Sequence, residues 1–319
     1  MTSKKCKTIQ NVRFAVLVFC LIIAKTTMYA GDLSGTVTGQ FLKLPLDARA
    51  VGMGGAEVAI ANGVSSIGFN AAGITSVTDL GVSSSYTQWF ADIQYGYLGV
   101  VKNIPGLGEI GFSAIRLGTD DMIETTPAYP EGTGRTFTVS DYAFSAVYAR
   151  QVTEQFSVGV NVKYIQSYLF NQSYGASTFA VDIGTLYDVP DLRTRIGVSL
   201  TNIGPDMEFI QETYAIPTAL RFGVLVDIYK EEHNSFVTAF QITRLNDANE
   251  QYNWGVEYVF DDLLSFRGGY QFNYDAENFT AGFGIKTQNV FGFDGSIDWG
   301  YNNFEYLPGT NTLTLQLQF

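Results

Sequence analysis

Residues 290–302 read VFGFDGSIDWGYN, and large apolar side chains alternate there with small or polar ones. One set of alternate positions holds Phe291, Phe293, Ile297, Trp299 and Tyr301, and the other holds Gly292, Asp294, Ser296, Asp298, Gly300 and Asn302. This alternation has the period of a β-strand, whose side chains point to opposite faces in turn. The segment therefore predicts a strand with one aromatic, apolar face and one polar face.

The same alternation recurs from residue 81 to the end of the chain. Fourteen segments are predicted as strands, near 81–89, 92–103, 107–117, 139–151, 155–168, 176–188, 193–203, 217–229, 234–245, 250–260, 263–274, 277–287, 290–302 and 311–319. Most approach or exceed the ~9–11 residues that a tilted strand needs to cross a bilayer, whereas strands of globular proteins usually have ~5–6. The sequence predicts an all-β fold, a fourteen-stranded antiparallel transmembrane β-barrel over residues 81–319. A soluble β-sandwich is the alternative, because its strands alternate too.

Composition favours a membrane barrel over an ordinary soluble enzyme. Only 16% of the 319 residues are charged, whereas about 25% is average for globular domains. After Ala30 no run of ~18 apolar residues occurs, so no membrane-spanning helix is predicted there. The formal net charge of −12 would repel phosphates, which excludes nucleic acid as a partner.

The first thirty residues have the layout of a secretory signal peptide. A basic stretch, 4–13, precedes an apolar core, 14–24, and a short polar tail ends at Ala30. We expect cleavage between Ala30 and Gly31. An N-terminal membrane anchor is the alternative, but the apolar core is too short to span a bilayer. The signal peptide predicts export, and with the barrel it predicts location in a bacterial outer membrane.

Connections between the predicted strands alternate between short turns and longer loops. The longest loops are 118–138 and 204–216. Outer-membrane barrels carry short turns on the periplasmic side and longer loops outside, so both ends of this barrel are predicted to lie in the periplasm. Lipid of the outer membrane is the partner expected for the apolar strand faces.

The last strand resembles the C-terminal signal of Gram-negative outer-membrane barrels. Leu313, Leu315, Leu317 and the terminal Phe319 occupy alternate positions. The resemblance implies that the barrel-assembly machinery reads this strand. Closure also requires the last strand to pair with the first, since an unpaired edge cannot face lipid.

Catalysis and cofactor binding find little support in the residues. The single histidine, His233, lies in a predicted turn, so no catalytic triad can be built in the barrel wall. Both cysteines fall within residues 1–30, so the common zinc sites are excluded as well. The glycine-rich stretches at 52–55 and 282–287 lack the spacing of phosphate-binding loops. We expect no enzyme activity, no metal and no cofactor.

Residues 31–80 depart from the strand pattern and are rich in glycine and alanine. Small residues allow close backbone approach, and a fourteen-stranded barrel has room for such a segment. We therefore predict that 31–80 form a hatch in the lumen. Eight charged residues fall on the predicted polar strand faces: Lys163, Arg221, Asp227, Glu257, Arg267, Lys286, Asp294 and Asp298. Two interpretations stay open for them, namely solvation of the lumen with pairing to hatch residues Asp47, Arg49 and Glu57, or a selectivity lining.

The hatch segment carries a family resemblance. Residues 41–59 read FLKLPLDARAVGMGGAEVA, and Asn70, Ala71, Ala72 and Gly73 follow. Together with a long aromatic barrel, these stretches resemble the PorV/PorQ family, which belongs with the FadL-type fourteen-stranded outer-membrane proteins. The resemblance implies a lumenal hatch. FadL-type hatches commonly read Asn-Pro-Ala-Gly, and here Ala71 stands where proline is expected.

The resemblance leaves two functions open. PorV-like proteins bind cargo in type IX secretion, which implies a binding or shuttle component whose loops 118–138 and 204–216 engage secreted cargo proteins. FadL-type proteins imply a passive channel for hydrophobic small molecules such as fatty acids or aromatic compounds. We favour the first on the N-terminal resemblance.

Overall fold

Alternating strands close into a barrel in the computed structural model, which describes residues 35–170, 174–290 and 293–319, with only the backbone for 288–290. Fourteen antiparallel strands form the barrel wall in this part of the chain. The strands are β1 Leu80–Gln88, β2 Gln94–Ile104, β3 Gly108–Gly118, β4 Ser140–Thr153, β5 Phe156–Leu169, β6 Tyr174–Val189, β7 Thr194–Ile203, β8 Ala219–Lys230, β9 Ser235–Leu245, β10 Gln251–Phe260, β11 Leu264–Phe272, β12 Glu277–Val290, β13 Phe293–Phe304 and β14 Thr310–Gln318. The predicted fold is confirmed, and the sandwich alternative is wrong.

The barrel closes between its first and last strands. β1 pairs with β14 from Gly81 opposite Gln318 to Gln88 opposite Asn311, and it pairs with β2 along its other edge. The Phe319 amide donates to the Leu80 carbonyl at 2.8 Å. Because the ring has no open edge, backbone polar groups are paired within the wall, as lipid requires.

The two faces of the wall invert the usual pattern of a soluble protein. Outward side chains are large and apolar, and Leu98, Phe112 and Phe179 are each more than half exposed. Many inward side chains are small or polar, such as the fully buried Asn161 and Thr314, although Ile115 and Ile165 also face inward. An exposed apolar band around a polar interior is the arrangement of a barrel that lies in lipid. Among the described residues, no helix is long and apolar enough to cross a membrane.

Connections of two kinds define two rims. The short-turn rim holds both barrel ends, Leu80 and Phe319, and the connections 105–107, 154–155, 190–193, 231–234 and 261–263. The long-loop rim holds the connections 89–93, 119–139, 204–218, 246–250, 273–276 and 305–309. Two small hairpins that the alternation did not predict lie in the long-loop rim, where 122–123 pair with 136–137 and 207–209 pair with 212–214. They are too short for a period of two to stand out.

Residues 35–79 lie within the ring and form only short helices. These are three 3₁₀ turns, Gln40–Lys43, Val64–Gly68 and Ala71–Ser76, and one α-helix, α1, Ala48–Gly52. Asp47 caps α1, since its Oδ1 accepts from the Ala50 amide at 2.6 Å. We call residues 35–79 the hatch. The predicted cleavage site at Ala30 and Gly31 lies outside the described residues, as do Phe291 and Gly292.

Glycines in the wall bring the hatch backbone against the strands. A Cβ placed on Gly300 in β13 would stand 2.6 Å from the Ala48 carbonyl oxygen. A Cβ on Gly255 in β10 would overlap the Met53 carbonyl. Real side chains do not tolerate such distances, so glycine at these two positions lets the hatch pack directly on the inner surface.

Candidate functional site in the barrel lumen

Asn70 fastens the hatch to the wall. Its Nδ2 donates to the carbonyls of Val58, at 2.9 Å, and Thr185, at 3.1 Å, and its Oδ1 accepts from the Ala72 amide at 3.2 Å. The neighbours Ala71, Ala72 and Gly73 are buried in the following 3₁₀ turn. Asn70 therefore joins two parts of the hatch to β6, which is a structural use of the predicted motif.

Four charged side chains form a buried cluster between the hatch and three strands. Arg49 makes a two-pronged contact with Glu257, Nε to Oε2 at 3.0 Å and Nη2 to Oε1 at 2.9 Å. Arg267 donates to Glu257 at 2.6 Å and to Asp298 at 2.6 Å. Two guanidinium groups therefore balance two carboxylates, and charge-assisted bonds of this kind are the strong ones. We call these residues the arginine cluster.

Two further ion pairs lie on the other side of the lumen. Lys163 contacts Asp182 at 2.8 Å and donates to Asn202 at 2.8 Å. Arg221 lies 3.5 Å from Glu57 of the hatch and donates to Thr201 at 2.9 Å. All of these charged side chains are nearly inaccessible to solvent.

The eight predicted lumen charges do not form one site. Five of them, Lys163, Arg221, Glu257, Arg267 and Asp298, belong to these buried ion pairs. Lys286 and Asp294 instead line a smaller cavity of ≈ 230 Å³ that the hatch closes near residues 63–64. Asp227 is half-buried at the short-turn end of β8, where its amide donates to the Arg193 carbonyl at 2.9 Å.

Hatch charges pair with the wall in two of the three predicted cases. Arg49 meets Glu257 and Glu57 meets Arg221, as described above. Asp47 instead caps α1 and accepts a short hydrogen bond from the Ser65 hydroxyl. Its carboxylate serves the internal structure of the hatch.

A cavity of ≈ 500 Å³, the long-loop cavity, occupies the half of the lumen beside β8–β14. Its wall combines polar residues, among them Lys43, Arg221, Asp247, Gln271 and Asn302, with apolar ones, among them Leu44, Val51, Trp89 and Leu245. Lys43 contacts Asp247 at 2.6 Å. Tyr274 also lines it, and burial raises the pKa of this phenol, which keeps the hydroxyl protonated as a partner of Asn253. The cavity therefore offers hydrogen bonds and charge beside apolar surface.

The other half of the lumen is filled by apolar side chains. Phe41, Leu42 and Leu46 of the hatch pack against Tyr95 and Tyr97 of β2. The cluster continues with Ile115, Ala143, Ile165, Ala176, Ala180, Met207 and Ile216. The interior therefore divides into a packed apolar half and a half of mixed polarity that contains a cavity.

Sequence reasoning missed two contributors to the lumen. Asp247 lies in a connection that reads as an ordinary polar turn, and only its pairing with Lys43 reveals its place. The 204–218 connection folds inward, so that Met207 and Ile216 are buried and Val37 pairs with Ala215. The available signal was the number of large apolar residues in this connection, which are Met207, Phe209, Ile210, Tyr214 and Ile216.

His233 lies away from the lumen. It is exposed on the short-turn rim, with its Nδ1 3.1 Å from Asp262. In the described part of the chain, no group of three or more His, Cys, Asp or Glu residues is arranged to hold a metal ion.

Solved structures share this architecture at low sequence identity. The CymD monoaromatic hydrocarbon channel aligns with a TM-score of 0.59 and 13% identity over 86% of this chain and 97% of its own. The Pseudomonas putida toluene transporter TodX gives 0.55 and 10% over 85% and 96%. A Pseudomonas aeruginosa FadL homologue gives 0.53 and 9% over 86% and 98%. These likenesses establish a FadL-like fold.

Family membership comes from the sequence. No curated protein matches this chain. The family model described as "Type IX secretion system protein PorV" matches residues 32–249, which include the hatch and the strands through β9. Barrel and family together identify an outer-membrane protein of the kind used in transport and secretion, and the chain belongs to the PorV family.

Proposed function

We propose that the protein is a binding or shuttle component of type IX secretion that engages secreted cargo proteins at its long-loop rim. The family match is the observation that carries the proposal. The loop lengths support the orientation that the proposal needs, with the long-loop rim outside the cell. Catalysis has no part in the proposal, since family and fold are those of transport and secretion barrels.

The surface of the long-loop rim supports a protein partner. Its exposed apolar side chains include Ile123, Tyr129, Ile210 and Tyr306, each more than 60% exposed. Those residues lie beyond the strands that contact lipid. Exposed apolar residues in such a place are typical of interaction sites.

Acidic residues surround these apolar side chains. Apart from the buried Asp247, the connections of the long-loop rim contain a single basic residue, Arg135, and the acids Asp92, Asp120, Asp121, Glu124, Glu131, Asp206, Glu208, Glu212, Glu250, Asp275 and Glu305. Such a surface favours a partner with a basic face, because complementary charge speeds association and selects partners.

The first test removes apolar contacts from the long-loop rim. Ile123→Ser together with Ile210→Ser should reduce the cargo that co-purifies with the protein, and the cargo displayed at the cell surface, at least about tenfold. Burying two such side chains in an interface exceeds the ~1.4 kcal/mol that tenfold requires. Leu107→Ser with Leu263→Ser, which are exposed on the short-turn rim, is the matched control. Normal cargo binding and display by the first pair would refute the proposal.

A passive channel for hydrophobic small molecules is the second candidate function. The apolar half of the lumen favours it, because Phe41 and Leu42 would line a route for such molecules if they moved. The similarity of the fold to that of the CymD monoaromatic hydrocarbon channel supports the same function. Liposomes that contain the protein should then accumulate radiolabelled toluene or oleate faster than empty liposomes, and Phe41→Ala should raise the rate. Equal rates in all three samples would exclude the channel.

A further inference from the structure

Asp247 presents an unused carboxylate oxygen in the long-loop cavity. The residue is only 2% exposed. Its Oδ2 accepts from Lys43 at 2.6 Å and from Gln40 at 3.2 Å, whereas its Oδ1 has no hydrogen-bond partner among the described residues. An ionised carboxylate only accepts hydrogen bonds, and leaving one of its oxygens buried and unsatisfied is unfavourable. The position favours a ligand that donates.

The wall of the long-loop cavity carries a net negative charge, which also favours a donating ligand. Asp247, Asp275 and Glu277 contribute three carboxylates, and Lys43 and Arg221 contribute two cations. Arg221 is already engaged by Glu57 behind the wall. Within the described residues, Asp275 and Glu277 at the cavity mouth form no ion pair. Negative charge is therefore left over, which favours a cation.

Two buried amides and one aromatic ring complete the lining. The side-chain oxygens of Gln271 and Asn302 have no hydrogen-bond partner in the described part of the chain, although both residues are at least nine-tenths buried. Trp89 packs edge-on against Phe304 in the long-loop rim, with ring centroids 5.6 Å apart. An indole face attracts guanidinium and ammonium groups. The lining thus combines acceptors, net negative charge and a surface for stacking.

We infer that the long-loop cavity binds a cationic side chain, arginine or lysine, of a polypeptide partner. A volume of ≈ 500 Å³ holds a basic side chain with part of its backbone and falls in the ~300–1,000 Å³ range of ligand pockets. That the partner is a polypeptide rests on the proposed function. The cation itself rests on Asp247 and the charge of the wall. A neutral sugar could donate hydroxyl groups to the amides and carboxylates, but it would leave the net negative charge of the wall uncompensated.

Isothermal titration calorimetry on the full protein in detergent tests this inference. The probe is N-acetyl-Gly-Arg-Gly-amide, and the matched peptide carries citrulline, which has the shape of arginine without its charge. We expect the arginine peptide to bind at least about tenfold more tightly than the citrulline peptide. Asp247→Asn and Gln271→Leu should each weaken arginine binding about tenfold, equivalent to ~1.4 kcal/mol.

Gln316→Leu is the matched control, because Gln316 lines the smaller cavity at residues 63–64, and it should leave binding unchanged. Folding of each variant is checked by its heat-dependent mobility on gels. Absence of binding, equal binding of both peptides, unchanged binding in Asp247→Asn and Gln271→Leu, or preferential binding of maltotriose would each overturn the inference. Because the titration involves no secretion, its failure is separable from failure of the cargo-display experiment.

Discussion

At the scale of single residues, Glu257 holds the arginine cluster together. It accepts from Arg49 of the hatch and from Arg267 of the wall, and of these two only Arg267 has a second carboxylate partner among the described residues, Asp298. Removing one member of a buried ion pair is far more damaging than exchanging the whole pair for apolar residues, since a buried charge is left uncompensated.

Glu257→Gln should therefore lower the free energy of unfolding by about 3–5 kcal/mol. The measurement is urea unfolding in detergent, followed by tryptophan fluorescence. Asp262→Asn, which removes the exposed partner of His233, should change stability by less than about 1 kcal/mol, as is usual for surface ion pairs. Similar effects of both substitutions would show that the cluster does not anchor the hatch.

At the scale of elements, the hatch and the strands meet through wall glycines. Gly300→Leu would force a side chain into the position of the Ala48 carbonyl and displace α1. Overpacking of this kind costs about 1–3 kcal/mol, whereas the strand ladder itself is unaffected. We expect the barrel to assemble and to conduct ions in planar bilayers more than the parent does.

Gly96→Leu is the control for that experiment, because nothing lies within 4 Å of a Cβ at the outward-facing Gly96. It should conduct like the parent. A parent-like conductance of Gly300→Leu would mean that the hatch adjusts without opening a path through the lumen.

Strand elements were predictable from the sequence, but hatch contacts were not. Alternation placed β13 correctly because Trp299 and Tyr301 face outward while Asp298 and Asn302 face inward. The same alternation says only that Gly300 is inward and small, and nothing in it identifies Ala48 as its neighbour. Contacts between distant segments of the chain, such as Lys43 with Asp247, depend on the path of the hatch inside the barrel. The alternation of side chains within one strand carries no information about that path.

At the scale of the whole molecule, the two rims should face opposite sides of the outer membrane. Residues 35–319 contain no cysteine, so a single introduced thiol reports its own location. Glu131→Cys on the long-loop rim should react with an impermeant maleimide in intact cells, and Glu232→Cys on the short-turn rim should react only after the cells are broken. The parent protein measures background labelling. The reverse result would invert the orientation on which the cargo proposal depends.

The predicted assembly signal also belongs to this scale. Phe319 packs against Phe293, with ring centroids 5.7 Å apart, and it remains half exposed at the seam. Recognition of Phe319 by the barrel-assembly machinery stays a prediction.

The seam between β1 and β14 also constrains the order of events during assembly. The hatch precedes β1 in the chain, yet it touches strands from β1 to β14 around the whole ring. If the barrel closed first, the hatch would have to enter it afterwards. Its buried charged side chains would then have to move past positions where the backbones of hatch and wall are in direct contact. We therefore expect the pairing of Gly81 with Gln318 through Gln88 with Asn311 to form last, around a hatch that is already in place.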